Sequence, residues 1–72
     1  MTPTIGSTYT VKHSRKGTFV MRVDSLDADF AHGEVVAGKA SLISGNLVPG
    51  DKISVRMSLC KFELEGGDRV SL

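Results

Sequence analysis

The stretch Tyr9–Val23, YTVKHSRKGTFVMRV, decides the fold. Tyr9 and Val11 alternate with Thr8, Thr10 and Lys12. After a short break, Phe19, Met21 and Val23 alternate with Thr18, Val20, Arg22 and Asp24. A period of two places successive side chains on opposite faces, so each run reads as a half-buried β-strand. Between them stand Lys12, His13, Ser14, Arg15 and Lys16, the densest positive charge in the chain, closed by Gly17. One hairpin thus supplies a large part of the expected core and the one evident recognition feature.

The same alternation continues outward. Asp27, Ala28 and Asp29 form a short acidic turn, and a third strand is expected from Phe30 to about Ala37. Its face of small residues, Ala31 and Gly33, predicts close approach of another strand or a bend. Gly38 and Lys39 end it. Residues 40–48 read either as one helical turn, through Ala40, Leu42, Ile43 and Leu47, or as a loop with a short strand, through Ser41, Ser44, Gly45 and Asn46. Val48-Pro49-Gly50-Asp51-Lys52 spells a turn, because Pro presets one corner and Gly the next. A fourth strand then places Ile53, Val55, Met57 and Leu59 inward. At Leu59–Cys60 the phase changes, and Cys60, Phe62 and Leu64 become the inward set. A plain strand cannot change phase, so a bulge or a tight one-turn bend is expected at that junction. Gly66, Gly67 and Asp68 would turn the chain into a short closing strand, Arg69–Leu72. Residues 1–5 read as a loose end.

Composition agrees with a single small all-β domain over residues 1–72. The chain has 72 residues, eight of them glycine, one cysteine and no tryptophan. A domain this short buries only ~60% of the surface its unfolded chain exposes, and a lone Cys60 cannot form an internal disulfide. One cysteine suits a reducing compartment, no secretory pattern follows Met1, and no run approaches the ~20 apolar residues of a membrane helix. The expected location is therefore the cytoplasm, with no membrane partner. Nine Lys+Arg against eight Asp+Glu give a net charge of +1. Any electrostatic targeting must then come from where the charges sit and not from their sum.

The expected architecture is a five-stranded, strongly bent sheet that covers itself, with at most one short helical turn. The feature order resembles an SH3-like barrel: a polar loop joins the first two strands, a bending hairpin follows, and a phase break separates the last two. YTVKHSRKGTFVMRV is also similar to the KOW variety of that fold, in which a strand, a basic loop and a glycine lead into a second apolar strand. That resemblance covers residues 9–23. It departs from the KOW pattern where His13 or Ser14 stands in place of an early loop glycine. It implies that the loop is where RNA or a partner protein is met. An OB-like barrel is the second reading. In size and style the chain looks like small proteins carried by phages and mobile elements.

The candidate binding residues are Lys12, His13, Arg15, Lys16 and Arg22. Cations on a hairpin tip suit phosphate contacts, which give affinity without reading sequence, and Tyr9 or Phe19 would offer a base a stacking surface. The bland alternative is a solvated turn that protects an edge. No metal or cofactor is expected, since His13, His32, Cys60, Asp27 and Asp29 lack the paired spacing of a metal site. Nor is catalysis expected. A Cys60–His13 or Cys60–His32 pair is conceivable, but no phosphate loop, nucleophile elbow or carboxylate pair is present. Two patches complete the inventory, one acidic (Asp24, Asp27, Asp29) and one apolar (Val20, Val36, Phe30). The expected function is a non-catalytic binding module for an as yet unspecified protein partner. The alternative is weak binding of RNA or DNA through the Lys12–Lys16 loop.

Overall fold

A computed structural model of the chain describes residues 3–64. Seven strands follow in order: β1 (Thr8–His13), β2 (Gly17–Leu26), β3 (Phe30–Gly38), β4 (Ala40–Leu42), β5 (Gly45–Leu47), β6 (Lys52–Arg56) and β7 (Cys60–Leu64). A 3-10 turn at Met57–Leu59 separates the last two. Five strands form one antiparallel sheet in the order β6-β3-β2-β1-β7, and β4 and β5 form a small hairpin of their own. The sheet does not close: β6 and β7 are its ends, so the expected closed barrel is not seen among the described residues. The proposed turn at Gly66–Asp68 and closing strand Arg69–Leu72 lie outside the described residues.

The period-two reading of the first hairpin holds residue for residue. Tyr9 opposes Met21 and Val11 opposes Phe19, and all of these, with Val23, are buried. Ala31, Val35, Ile53 and Val55 complete that face from β3 and β6, and Phe62 from β7. The Tyr9 and Phe62 rings meet edge-to-face, 5.7 Å apart and 77° inclined. The small residues of β3 mark a close approach, as expected. A Cβ on Gly33 would stand 1.8 Å from the carbonyl oxygen of Arg22. Register shifts between β2 and β3 at Val20/Met21 and Val23/Ser25 add twist at that seam.

Several expectations are corrected. The fourth strand stops at Arg56, and Met57–Leu59 is the one-turn bend inferred from the phase change. Met57 is therefore only partly buried against the core, and Leu59, expected inside, is exposed. Leu64 is exposed as well. Residues 40–47 form a strand pair and not a helical turn; glycine and serine at the bend favour a hairpin, and Ala40 is its buried anchor. Residues 3–7 are not loose. Thr4 N–H donates to the Tyr9 hydroxyl oxygen at 2.7 Å, Gly6 N–H donates to Val23 O, and Val23 N–H donates to Ser7 O.

Candidate binding groove at the basic tip

The β1–β2 turn and the β4–β5 hairpin lie side by side. Gly17 has a φ of 85°, which lets the chain leave the turn and enter β2. Gly38, with a φ of 78°, swings the chain out of β3 so that β4 starts beside the same tip. The backbone fastens them: Ser41 N–H donates to Lys16 O at 2.9 Å. Between them opens a groove of about 610 Å3 lined by Arg15, Lys16, Ser41, Leu42, Ile43 and Ser44. Ile43 is fully exposed and Leu42 is 40% exposed. Two cations, two aliphatic side chains and two hydroxyls thus share one concave surface.

His13 builds the turn instead of standing on it. It continues the inward series Tyr9, Val11, His13 and is only 8% exposed. Its Nδ1 accepts from the backbone N–H groups of Arg15 at 2.9 Å and Lys16 at 3.1 Å. That is the side-chain-to-backbone bonding that lets a polar residue shape a turn. Burial, then the nearby charges of Lys16 and Arg15, hold the imidazole below its ordinary pKa of 6.5. With Nδ1 accepting, the neutral ring carries its proton on Nε2. His13 therefore fixes the backbone of Arg15 and Lys16, while its own ring is buried.

The other candidate residues separate. Lys12 points outward one rung below the tip, with Nζ 3.6 Å from Glu63 Oε2. Arg22 lies five residues along β2 from Gly17, roughly 16 Å away at ~3.3 Å per residue. Its guanidinium binds Asp24 at 2.9 Å and Glu34 at 3.2 Å. The hydrogen bond with Asp24 raises the Arg22 pKa and lowers that of Asp24. Lys52 Nζ stands 3.7 Å from Glu34 and 3.9 Å from Asp24. Arg22 is thus occupied in a cross-strand ion network. Tyr9 and Phe19, proposed as stacking surfaces, are both 2% exposed in the core. The groove unites Arg15 and Lys16 with Leu42 and Ile43, which in sequence read as part of a helical turn or loop and not as binding residues. The signal for them was two adjacent aliphatics at a Ser-Gly bend, where a hairpin exposes both.

Two nucleophile–histidine arrangements also take shape. Cys60 pairs directly across from His13, yet burial raises its thiol pKa and Sγ donates to Arg56 O at 3.4 Å. On the outer face, His32 bridges strands: Nδ1 is 2.7 Å from Ser54 Oγ and Nε2 is 2.9 Å from Asp27 Oδ2. Beside it the Phe30 ring stacks on His32 and carries the Arg56 guanidinium 4.9 Å above it, so Phe30 is covered and not part of an apolar patch. These residues clip β3 to β6 on an open sheet face, with the Asp27 side chain 69% exposed. Such exposure gives a reacting group none of the shielding from water that strengthens charge stabilisation in a site. Among the described residues no cluster of His, Cys, Asp and Glu is arranged to hold a metal ion, and no helix is long and apolar enough to cross a membrane. Compared with protein-family models, curated proteins and solved structures, the chain finds no match.

Proposed function

We propose that this chain is a non-catalytic binding module that grips a protein partner through the basic-tip groove. The ligand chemistry that fits is a segment carrying an aliphatic side chain beside one or more carboxylates. The observation that carries the reading is the shared lining: Arg15 and Lys16 face the same space as Leu42 and the fully exposed Ile43. Phosphate contacts use only the two cations, whereas a peptide with acidic and aliphatic side chains uses both halves of the surface. The strand order β6-β3-β2-β1-β7 with a 3-10 turn before the last strand supports an SH3-like relationship, in keeping with a small domain that works as a grip. That part of the warrant is analogy of fold. A free, protonated Cys60 suits a reducing cytoplasm.

The test is a binding titration with peptides that pair Asp or Glu with Leu or Ile, alongside basic peptides and single- and double-stranded RNA and DNA. The acidic, aliphatic peptides are expected to bind. Arg15→Ala with Lys16→Ala weakens them about tenfold, as expected for two exposed cations. Ile43→Ser weakens them further without changing the salt dependence. Nucleic acid that binds with a steep salt slope and is indifferent to Ile43→Ser would overturn this reading in favour of weak phosphate binding by Lys12, Arg15 and Lys16.

A further inference from the structure

Among the described residues, charge of one sign collects at each end of the sheet, with the balanced network of Arg22, Asp24, Glu34 and Lys52 between them. At one end lie Arg15 and Lys16, with Lys12 and Lys61 paired on the next rung and Lys39 following Gly38, which opposes Phe19. Among the described residues, Glu63 lies with them, its carboxylate bound to Lys12. At the other end the β2–β3 turn presents Asp27, Ala28 and Asp29, all exposed. Arg56, which pairs with Phe30 across the strands, is laid over the Phe30 ring. The two turns are separated by the whole of β2, Gly17–Leu26, roughly 30 Å at ~3.3 Å per residue. The acidic turn therefore cannot reach the groove of its own chain.

We propose that the acidic turn of a second copy occupies the groove. This rests on the reading of the groove as a protein-binding site and names its occupant. The fit is one of charge and shape. Asp-Ala-Asp is a narrow, protruding turn, held by Asp27 N–H donating to Phe30 O at 2.8 Å. It offers a carboxylate on either side of a small apolar residue. The groove offers two cations beside two aliphatic side chains. Donor and acceptor surfaces are different patches of the same chain, so the contact is head-to-tail. Copies add in a row unless the rotation between them closes a ring. Exposed charges of opposite sign make such association reversible and sensitive to salt.

Sedimentation of the full chain over a range of concentrations, at low and at high salt, tests this. The expected result is growth beyond the monomer at low salt, reversed at high salt. Charge reversal R15E with K16E replaces both cations of the groove with carboxylates, and D27K with D29K replaces both carboxylates of the turn with cations. Each is expected to stay monomeric alone, and an equal mixture to associate again. Because Asp27 also binds His32, Asp29→Lys alone serves as the variant that keeps that clip, with association reduced. K52E with R56E changes the net charge as much as R15E with K16E but is expected to leave association in place. A chain that is monomeric at every concentration and salt, or that associates regardless of R15E and K16E, overturns the proposal. If the acidic, aliphatic peptides still bind to that monomer, the groove reading stands and only its occupant is wrong. If they do not, both fall.

Discussion

At the scale of the residue, His13 shows how position changes the meaning of a side chain. In sequence it belongs to a run of cations and reads as one more contact for a phosphate. In the fold it faces inward and its Nδ1 holds the amides of Arg15 and Lys16. Its pKa is lowered on folding from 6.5, so the unfolded chain takes up a proton more readily than the folded one. Stability is therefore full above about pH 6.5, falls as the pH drops through that value, and levels off below the folded pKa. Chemical denaturation measured stepwise from neutral to mildly acidic pH is expected to show this loss. His13→Asn keeps an acceptor able to bond the amides two and three residues on, and removes this pH dependence. His13→Ala removes the acceptor as well and costs about 1–2 kcal/mol at neutral pH. If the wild type and His13→Asn decline in parallel, His13 is not the titrating group. Burial also keeps Cys60 a thiol, so its reaction with a disulfide reagent at neutral pH is expected to be slower than that of an unfolded chain in denaturant.

At the scale of the element, β3 is the strand that neighbours depend on. It pairs with β2 on one side and β6 on the other, and Gly33 sits where the β2 backbone leaves no room for a Cβ. Gly33→Ala is expected to cost about 3 kcal/mol or more, since backbone cannot yield as a flexible side chain can. Thermal melting followed by circular dichroism checks it; a variant that melts with the wild type would show that the seam relaxes. The pairing of β3 with β6 follows a rhythm set by Met57 N–H to Asp29 O and Val35 N–H to Asp51 O. These bonds make the odd positions of β3 the hydrogen-bonded rungs. His32 and Ser54 fall on a close rung between them, which is why their side chains meet across the strands. The alternation of β1, β2 and β6 was legible because each has one wet face. The end of β6 was not: Met57 and Leu59 continue the period, and only the 3-10 turn takes them out of the strand. The β4–β5 hairpin was equally ambiguous, because strand segments of three residues are too short to show a period.

At the scale of the whole molecule, the core is thin and its parts are few. A domain of this size draws only ~3–5 kcal/mol from one hydrophobic core, and no disulfide adds to it. Phe62 carries β7 onto that core and packs its ring against Tyr9. Phe62→Ala costs about 3–5 kcal/mol by loss of burial and the cavity left behind, enough to unfold the chain at room temperature. Circular dichroism and amide proton dispersion would show it directly, and a cooperative melt retained by Phe62→Ala would mean that β7 contributes little to the core. Segregation of charge is also a property of this scale. A sum of +1 conceals it, and pairing Lys12 with Lys61 at one end and exposing Asp27 and Asp29 at the other reveals it.

What the sequence by itself determined is the local part. Period-two alternation specified the strands and inward faces of the Tyr9–Val23 hairpin, glycine and proline specified the turns, and the phase break specified a bend before Cys60. These follow from backbone geometry, which acts over a few residues and needs no distant partner. The tertiary structure decided what each exposed group faces. Lys12 and Arg22 share a sign with Arg15 and Lys16 but meet Glu63 and Glu34, because β7 and β3 lie beside them. Arg15 and Lys16 share a groove with Leu42 and Ile43 instead, because Gly38 turns the chain back toward the tip. The physical reason is that strand pairing joins residues far apart along the chain, and a charge or a methyl group acquires its role from the neighbour that pairing supplies.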